Sequence, residues 1–202
     1  MRGGYGFPSL ISAVRTPEFA ALPKTQQTLA YAKRLHQGQT RAVDGEPFIV
    51  HLMEVGKLLY ESGAADEVIA AGVLHDALEK TDATAYDIYA RFGRRVGDIV
   101  CAVSHDPAIP GYTRRKSALR DQVASAGDDV LMVFAADKLS KVRELRLGGD
   151  SGVKVRSRKL RHYRRSLVML QERLPDSPLV ALLAAELDRL SDTAGVRAHS
   201  PT

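Results

Sequence analysis

The stretch Val68-Ile-Ala-Ala-Gly-Val-Leu-His75-Asp76-Ala-Leu78 decides the fold. From Val68 to Leu74 it is apolar on nearly every side of a helical wheel, the pattern of a helix buried all round at the centre of a domain. Asp66, just upstream, has the side chain of an N-cap, so the reading is one helix from Asp66 through Leu78. An imidazole and a carboxylate inside such a helix are costly unless they pair locally or bind an ion.

Outward from this segment helical periodicity recurs and strand alternation is almost absent, which predicts an all-α chain, a single bundle of about eight to ten helices. The expected helices run over about 25–37, from near His51 to Gly63, and over about 84–91, 94–104, 113–125, 128–146, 155–173 and 178–191. Between them lie turn-rich segments at Gln37 to Pro47, Pro107 to Pro110, Gly148-Gly149 and Pro175 to Pro178. No repeat or shift in composition argues for a second domain. Residues 23–192 are read as the domain, 1–22 as a flexible leader and 193–202 as a disordered tail.

The chain has 202 residues, 45% apolar and 26% charged, with only 6% aromatics and no Trp. A core of Leu, Val, Ile and Ala follows, and disordered or fibrous classes are excluded. Cys101 is the single cysteine and cannot form an internal disulfide, which points to a reducing, cytoplasmic setting. The longest apolar runs fall far short of the ~18–20 residues of a membrane span, and Met1 to Pro23 lacks the apolar centre of a signal peptide. The net charge of +5 raises the question of an anionic partner. Lys154, Arg156, Arg158, Lys159, Arg161, Arg164 and Arg165 form a run without an acid. The favoured reading is a solvated helix face over a seam of Val155, Leu160, Tyr163, Leu167 and Leu170, with phosphate or RNA binding as the remainder. Nucleic acid is not the expected partner, and a homo-oligomer stays open.

Three charged or titratable groups stand in apolar surroundings. Beside His75-Asp76, Asp137 ends the run Leu131-Met-Val-Phe-Ala-Ala, and His51 follows Phe48-Ile-Val. Each has a mild structural explanation by itself. Together, two His and two Asp from three helices supply nitrogen and oxygen ligands too few to fill an octahedral ion, so water would complete it. Mn²⁺, Fe²⁺ or Mg²⁺ suits that set better than a structural zinc, which would want thiolates.

At this point the chain resembles the HD-domain metal phosphohydrolases, whose pattern is H…HD…D, and most of all the hydrolase domain of RelA/SpoT-type alarmone enzymes and the metazoan SpoT homologue. The matching segments are His36-Gln-Gly-Gln-Thr-Arg41, Gly45-Glu-Pro-Phe-Ile-Val-His51, Leu74-His-Asp-Ala-Leu-Glu-Lys-Thr81, Phe92-Gly93, Arg115-Lys116 and Ala136-Asp-Lys-Leu139, in family order over about residues 25–146. The resemblance implies His51, His75, Asp76 and Asp137 as ligands of a divalent metal, Mn ahead of Fe, Mg or Zn. It implies Arg41 against a purine base, Arg115 and Lys116 toward 5′ phosphates, and Glu79 orienting the attacking water. Lys138 and Lys141, next to the last ligand, join the substrate-binding set. The implied substrate is a small phosphorylated nucleotide, ppGpp or pppGpp, which would lose its 3′ pyrophosphate. Spacing agrees on one point: Glu79 is four residues after His75 and so on the same face of a continuous helix.

Four positions depart from the family pattern. Lys80 stands where the family has Asp after the Glu, and Lys141 where it has Asn; Leu52 replaces a proline and Phe48 a tyrosine. The first two bear on function. Lys80 would either pair with Asp76, four residues earlier, or add charge beside a phosphate, and so counts with Glu79 in the catalytic segment. Another phosphoester substrate, or a nucleotide-sensing domain without turnover, is the alternative. Of the other histidines, His36 is read as interacting with a helix C-terminal dipole, His105 as a chance copy of the His-Asp pair, and His162 and His199 as surface or tail residues. Walker, Rossmann, serine-elbow and zinc-finger patterns are absent.

Overall fold

The computed structural model describes residues 18–147 and 153–197. After a 3₁₀ turn (Glu18–Ala21) come α1 (Pro23–Leu35), α2 (Ile49–Glu61), α3 (Asp66–Leu74), α4 (Ala77–Lys80), α5 (Ala85–Phe92), α6 (Arg94–Val103), α7 (Tyr112–Ala124), α8 (Asp128–Leu147), α9 (Val153–Arg173) and α10 (Pro178–Arg197). No strand forms among the described residues; a lone bridge joins Thr40 to Pro47. The all-α expectation holds, and no helix among the described residues is long and apolar enough to cross a membrane.

Central position follows from composition. Every residue of α3 from Val68 to Leu74 is buried, and the helix packs against α1, α2, α6 and α8. The core is mainly aliphatic, as the composition implies, with Leu52, Leu59, Ile69, Ile88, Leu131, Leu139, Leu170 and Leu183 fully enclosed and Phe134 the largest of the fully buried side chains.

Two expectations about α3 need correction. The helix does not run through Leu78. The His75 imidazole donates from Nδ1 to the Gly72 carbonyl at 2.7 Å, and its own N–H turns to the same oxygen at 3.4 Å. These contacts tighten the last turn and end α3, and Ala77 starts a separate short helix. Asp66, moreover, is not the N-cap; Ala65 occupies that place without a side-chain bond. The Asp66 carboxylate instead accepts from Lys24 N, Thr25 N and Thr25 Oγ1 at 2.9, 2.9 and 2.7 Å. It thus caps α1, whose own N-cap, Leu22, has nothing to offer the first-turn N–H groups.

The expected leader also ends too late. Residues 18–21 form the 3₁₀ turn, and Phe19 is buried there, its ring against Gly56. The tail begins too early as well, since α10 continues to Arg197. The remainder of both segments, with the Gly148-Gly149 turn and His199, lies outside the described residues.

Candidate metal centre

His51 lies on the first turns of α2, His75 caps the C-terminal end of α3, Asp76 follows in the turn, and Asp137 is in the middle of α8. Three elements buried against one another thereby bring four side chains to one point. His51 Nε2 is 3.2 Å from His75 Nε2, 3.4 Å from Asp137 Oδ1 and 3.8 Å from Asp76 Oδ2. His75 Nε2 is 3.3 Å from Asp137 Oδ1 and 3.4 Å from Asp76 Oδ2. The early end of α3 is what turns His75 and Asp76 toward the same place.

Partners on the far side of each ring set its tautomer. His75 Nδ1 faces a carbonyl oxygen, which only accepts, so this nitrogen carries the proton. His51 Nδ1 lies 2.8 Å from Ser140 Oγ and 3.1 Å from Glu144 Oε1. Ser140 commits its own proton to Glu54 Oε2 at 2.8 Å, and a carboxylate only accepts, so His51 Nδ1 is likewise the donor. Both Nε2 atoms then present lone pairs to each other across 3.2 Å. Asp76 Oδ2 and Asp137 Oδ1 are buried in the same place with no hydrogen-bond partner. Lone pairs and carboxylate oxygens crowded this way repel one another unless a cation stands among them. Burial alone would lower the His75 pKa, yet Asp76 and Asp137 raise it to about 10, so without a metal ion a proton on His75 Nε2 takes the place a cation would otherwise fill. The pocket stabilises positive charge, and the nitrogen and oxygen donors fit a borderline or hard divalent ion. His51, His75 and Asp137 can together offer ligand atoms within 4.8 Å of one another.

The HD-domain model matches residues 28–163, which include all four of these side chains. The chain belongs to the HD-domain family. Among curated relatives of this HD domain, the guanosine-3′,5′-bis(diphosphate) 3′-pyrophosphohydrolase of Aquifex aeolicus is 34% identical over 122 residues, 59% of this chain and 17% of that protein. The human protein of the same name is 33% identical over 118 residues, 57% of this chain and 65% of that one. A metazoan SpoT ortholog, described as hydrolysing ppGpp, has a solved structure with a TM-score of 0.74 at 24% identity, covering 84% of this chain and 96% of that chain. A Listeria monocytogenes structure reaches 0.63 at 24% identity, covering 73% and 98%. This HD domain spans 17% to 21% of the length of the Aquifex, Vibrio cholerae and Escherichia coli relatives.

Above the cluster opens a cavity of about 650 Å³, within the range of small-molecule sites. His75, Asp76 and Asp137 form part of its lining, while His51 is fully buried beneath. Arg41, Glu79, Lys80, Lys116, Lys138 and Lys141 also line it. Arg41, on the loop before α2, is paired with Asp44. Gly45, at φ +76°, makes the turn that closes this loop, with Arg41 N bonded to Glu46 O at 2.7 Å. Lys80 lies within ion-pair range of Asp76, with Nζ 3.9 Å from Asp76 Oδ2, and the same Nζ is 4.7 Å above the Phe48 ring. Lys141 does the same from α8, at 3.8 Å and 5.1 Å. Lys138 is buried, paired with Asp137 and lying 4.1 Å over Phe134.

Several expectations change. Arg115 does not reach the cavity lining; its Nη1 donates to Ile109 O at 3.2 Å, and Lys116 alone of that pair faces inward. Glu79 is in the cavity wall, but on α4 rather than on a helix continuous with His75. Its carboxylate accepts from His105 N at 2.8 Å and from Lys116 Nζ at 3.4 Å, and the His105 ring closes on the same oxygen. His105 is therefore no idle copy of the His-Asp pair. His36 does cap α1, but it is buried with Nδ1 on Gln39 Oε1 at 2.8 Å. Burial lowers its pKa, and a neutral ring gains nothing as a cation from the helix dipole. His162 is buried at 5% exposure and lines the cavity beside Lys159 and Tyr163, not at the surface.

Glu144 and Ser140 were missed. Their signal is spacing: on α8, Ser140 and Glu144 follow Asp137 by three and seven residues, the same face one and two turns on.

Proposed function

We propose that this HD domain hydrolyses a guanosine nucleotide bearing a 3′ pyrophosphate, ppGpp or pppGpp, to GDP or GTP and pyrophosphate. His51, His75, Asp76 and Asp137 would hold the divalent ion, manganese ahead of iron, magnesium or zinc. One observation carries the reading: two imidazole Nε2 atoms, each with its Nδ1 held on the far side, and two buried carboxylate oxygens without a hydrogen-bond partner converge under a cavity walled by lysines. The names of the relatives supply the substrate. A divalent ion there would supply Lewis-acid activation of water and of a phosphoryl oxygen.

Hydrolysis joins a water oxygen to the phosphorus attached to the ribose 3′ oxygen and breaks that P–O bond. One proton must leave the water and one must reach the 3′ oxygen. Glu79 is the carboxylate we assign to the first task, oriented by His105 and Lys116. Lys80, Lys116, Lys138 and Lys141 set positive charge around the phosphates, and Arg41, steadied by Asp44, offers a guanidinium plane to the purine. The lone Cys101 supports a reducing compartment, and we place the protein in the cytoplasm.

The test is incubation of the metal-stripped protein with ppGpp, with and without Mn²⁺, and quantification of GDP and pyrophosphate by anion-exchange chromatography. Metal-dependent GDP release, lost in Asp76→Ala, is expected. Absence of product from protein shown to bind Mn²⁺ would overturn the substrate assignment.

A second reading has its own observation. Two lysines, where the family pattern has an acid and an amide, both lie against Asp76 and Phe48. That favours another phosphoester substrate or a sensing domain without turnover. A large rate gain in Lys80→Asp would mark decayed catalysis, whereas a loss would make Lys80 part of the working site.

A further inference from the structure

The basic run on α9 does more than cover an apolar seam. Tyr163 and Leu170 are buried as that seam requires. Arg158, Arg161 and Arg165, however, are spaced three and seven residues apart and share the face that meets α7, where Arg120 and Lys116 oppose them. Among the described residues, no carboxylate lines the crevice between the two helices. Arg158 lies 4.5 Å over the Tyr112 ring, and Arg120 turns to Ser117 and His162. Packing cations against cations is unfavourable in the absence of a counter-charge, and burial together with Arg165 holds the Arg120 guanidinium below its ordinary pKa.

His162, at the floor of this crevice, supplies the second observation. Arg120 Nη1 donates to His162 Nδ1 at 2.9 Å, and a guanidinium has only donors, so Nδ1 accepts and the ring proton is on Nε2. That Nε2 is buried and has no partner. Burial, then Lys138, Arg120 and Lys116, push the His162 pKa down to about 2, which keeps the ring neutral and the Nε2–H a donor at all ordinary pH. A buried donor ringed by cations is complementary to a phosphoryl oxygen. Tyr112, Lys116 and His162 line both the crevice and the main cavity, so the two are adjacent. The crevice itself encloses about 30 Å³, which excludes a nucleoside and admits about one oxygen, so a phosphoryl group would sit at the mouth among the exposed arginines and extend one oxygen toward the floor.

We infer that the α7–α9 crevice is a second anion site of this HD domain, holding one phosphoryl group with His162 as its neutral donor and Arg120, Arg158, Arg161 and Arg165 as its counter-charge. The group comes either from the far end of the phosphate chain of a nucleotide in the main cavity or from free phosphate or pyrophosphate. The first source rests on the proposed function; the second does not.

The deciding experiment titrates inorganic pyrophosphate into the EDTA-treated full chain by calorimetry, comparing wild type with Arg161→Gln/Arg165→Gln, whose side chains are exposed, and with His162→Phe, which keeps a ring but removes the donor. The affinity should fall tenfold or more in the double variant and several-fold in His162→Phe, with circular dichroism unchanged. Steady-state turnover of ppGpp then separates the sources. A raised KM at constant kcat in the double variant identifies the substrate's own phosphates; unchanged KM and kcat with weakened inhibition by pyrophosphate identify the free anion. No binding by wild type, or an affinity the same within twofold in both variants, overturns the inference. If wild type does not hydrolyse ppGpp while the pyrophosphate result holds, the substrate assignment has failed and the crevice has not.

Discussion

The ring of His51 is held by two acceptors at one nitrogen, and removing them one at a time and together gives an asymmetric result. In Ser140→Ala, His51 Nδ1 keeps Glu144 at 3.1 Å; in Glu144→Ala, it keeps Ser140 at 2.8 Å. Either single variant should therefore weaken Mn²⁺ binding by no more than about tenfold, the low end for loss of a group behind a metal ligand. The double variant leaves a fully buried Nδ1–H with no acceptor, which costs about 1–3 kcal/mol. The ring escapes that cost by moving its proton to Nε2, which removes the lone pair a metal needs. At about 1.4 kcal/mol per factor of ten, the double variant loses a further factor of about 5 to 150 in Mn²⁺ affinity beyond either single variant. Titration followed by electron paramagnetic resonance of free Mn²⁺ measures it, with circular dichroism as the check on folding. A double variant that binds as tightly as wild type, or single variants that each show the full loss, would refute the tautomer argument.

Three further outcomes follow from the packing. Asp66→Ala uncaps α1 across the fold and leaves the buried Thr25 hydroxyl without its acceptor, so urea unfolding should show a loss of about 2 kcal/mol, with Mn²⁺ affinity retained. Gly72→Ala would set a Cβ 2.2 Å from Leu59 Cδ1 and 3.4 Å from Val55 Cγ1, both on buried residues. The overpacking costs about 1–3 kcal/mol and should lower the melting temperature by about 2–4 °C for each of these, as differential scanning calorimetry would show. His162 is held neutral down to a pKa of about 2 against 6.5 when unfolded, so below pH 6.5 the unfolded chain binds the extra proton and stability falls as pH falls. This group contributes a slope of up to about 1.4 kcal/mol per pH unit between pH 6 and 4, and urea unfolding of His162→Phe should show a correspondingly flatter profile over that interval.

Helix content was legible because nearly every element obeys one period with local stop signals. Thr84 and Asp87 form the capping box that starts α5, and Gly93, at φ +84°, separates α5 from α6; both are short-range chemistry that a sequence displays. The buried His and Asp side chains were legible for a different reason: His and Asp in apolar runs are costly, and the cost itself marks them. Asp66 shows where such reasoning stops. Its side chain is right for a cap, but the helix it caps begins more than forty residues earlier, a partnership that only chain folding creates. The same holds for Glu79 with His105 and for Arg120 with His162, each pair 26 or more residues apart and ordinary when read singly.

By itself, then, the sequence determined an all-α chain, a central helix and four ligand candidates, because burial and periodicity are properties of neighbouring residues. Tertiary structure alone decided that α3 ends at Leu74, that His75 and Asp76 turn to meet His51 and Asp137, and that both Nε2 atoms face inward. Those features depend on which carbonyl, hydroxyl or carboxylate stands behind each ring. Hydrogen bonds act over about 3 Å in space, without regard to separation along the chain.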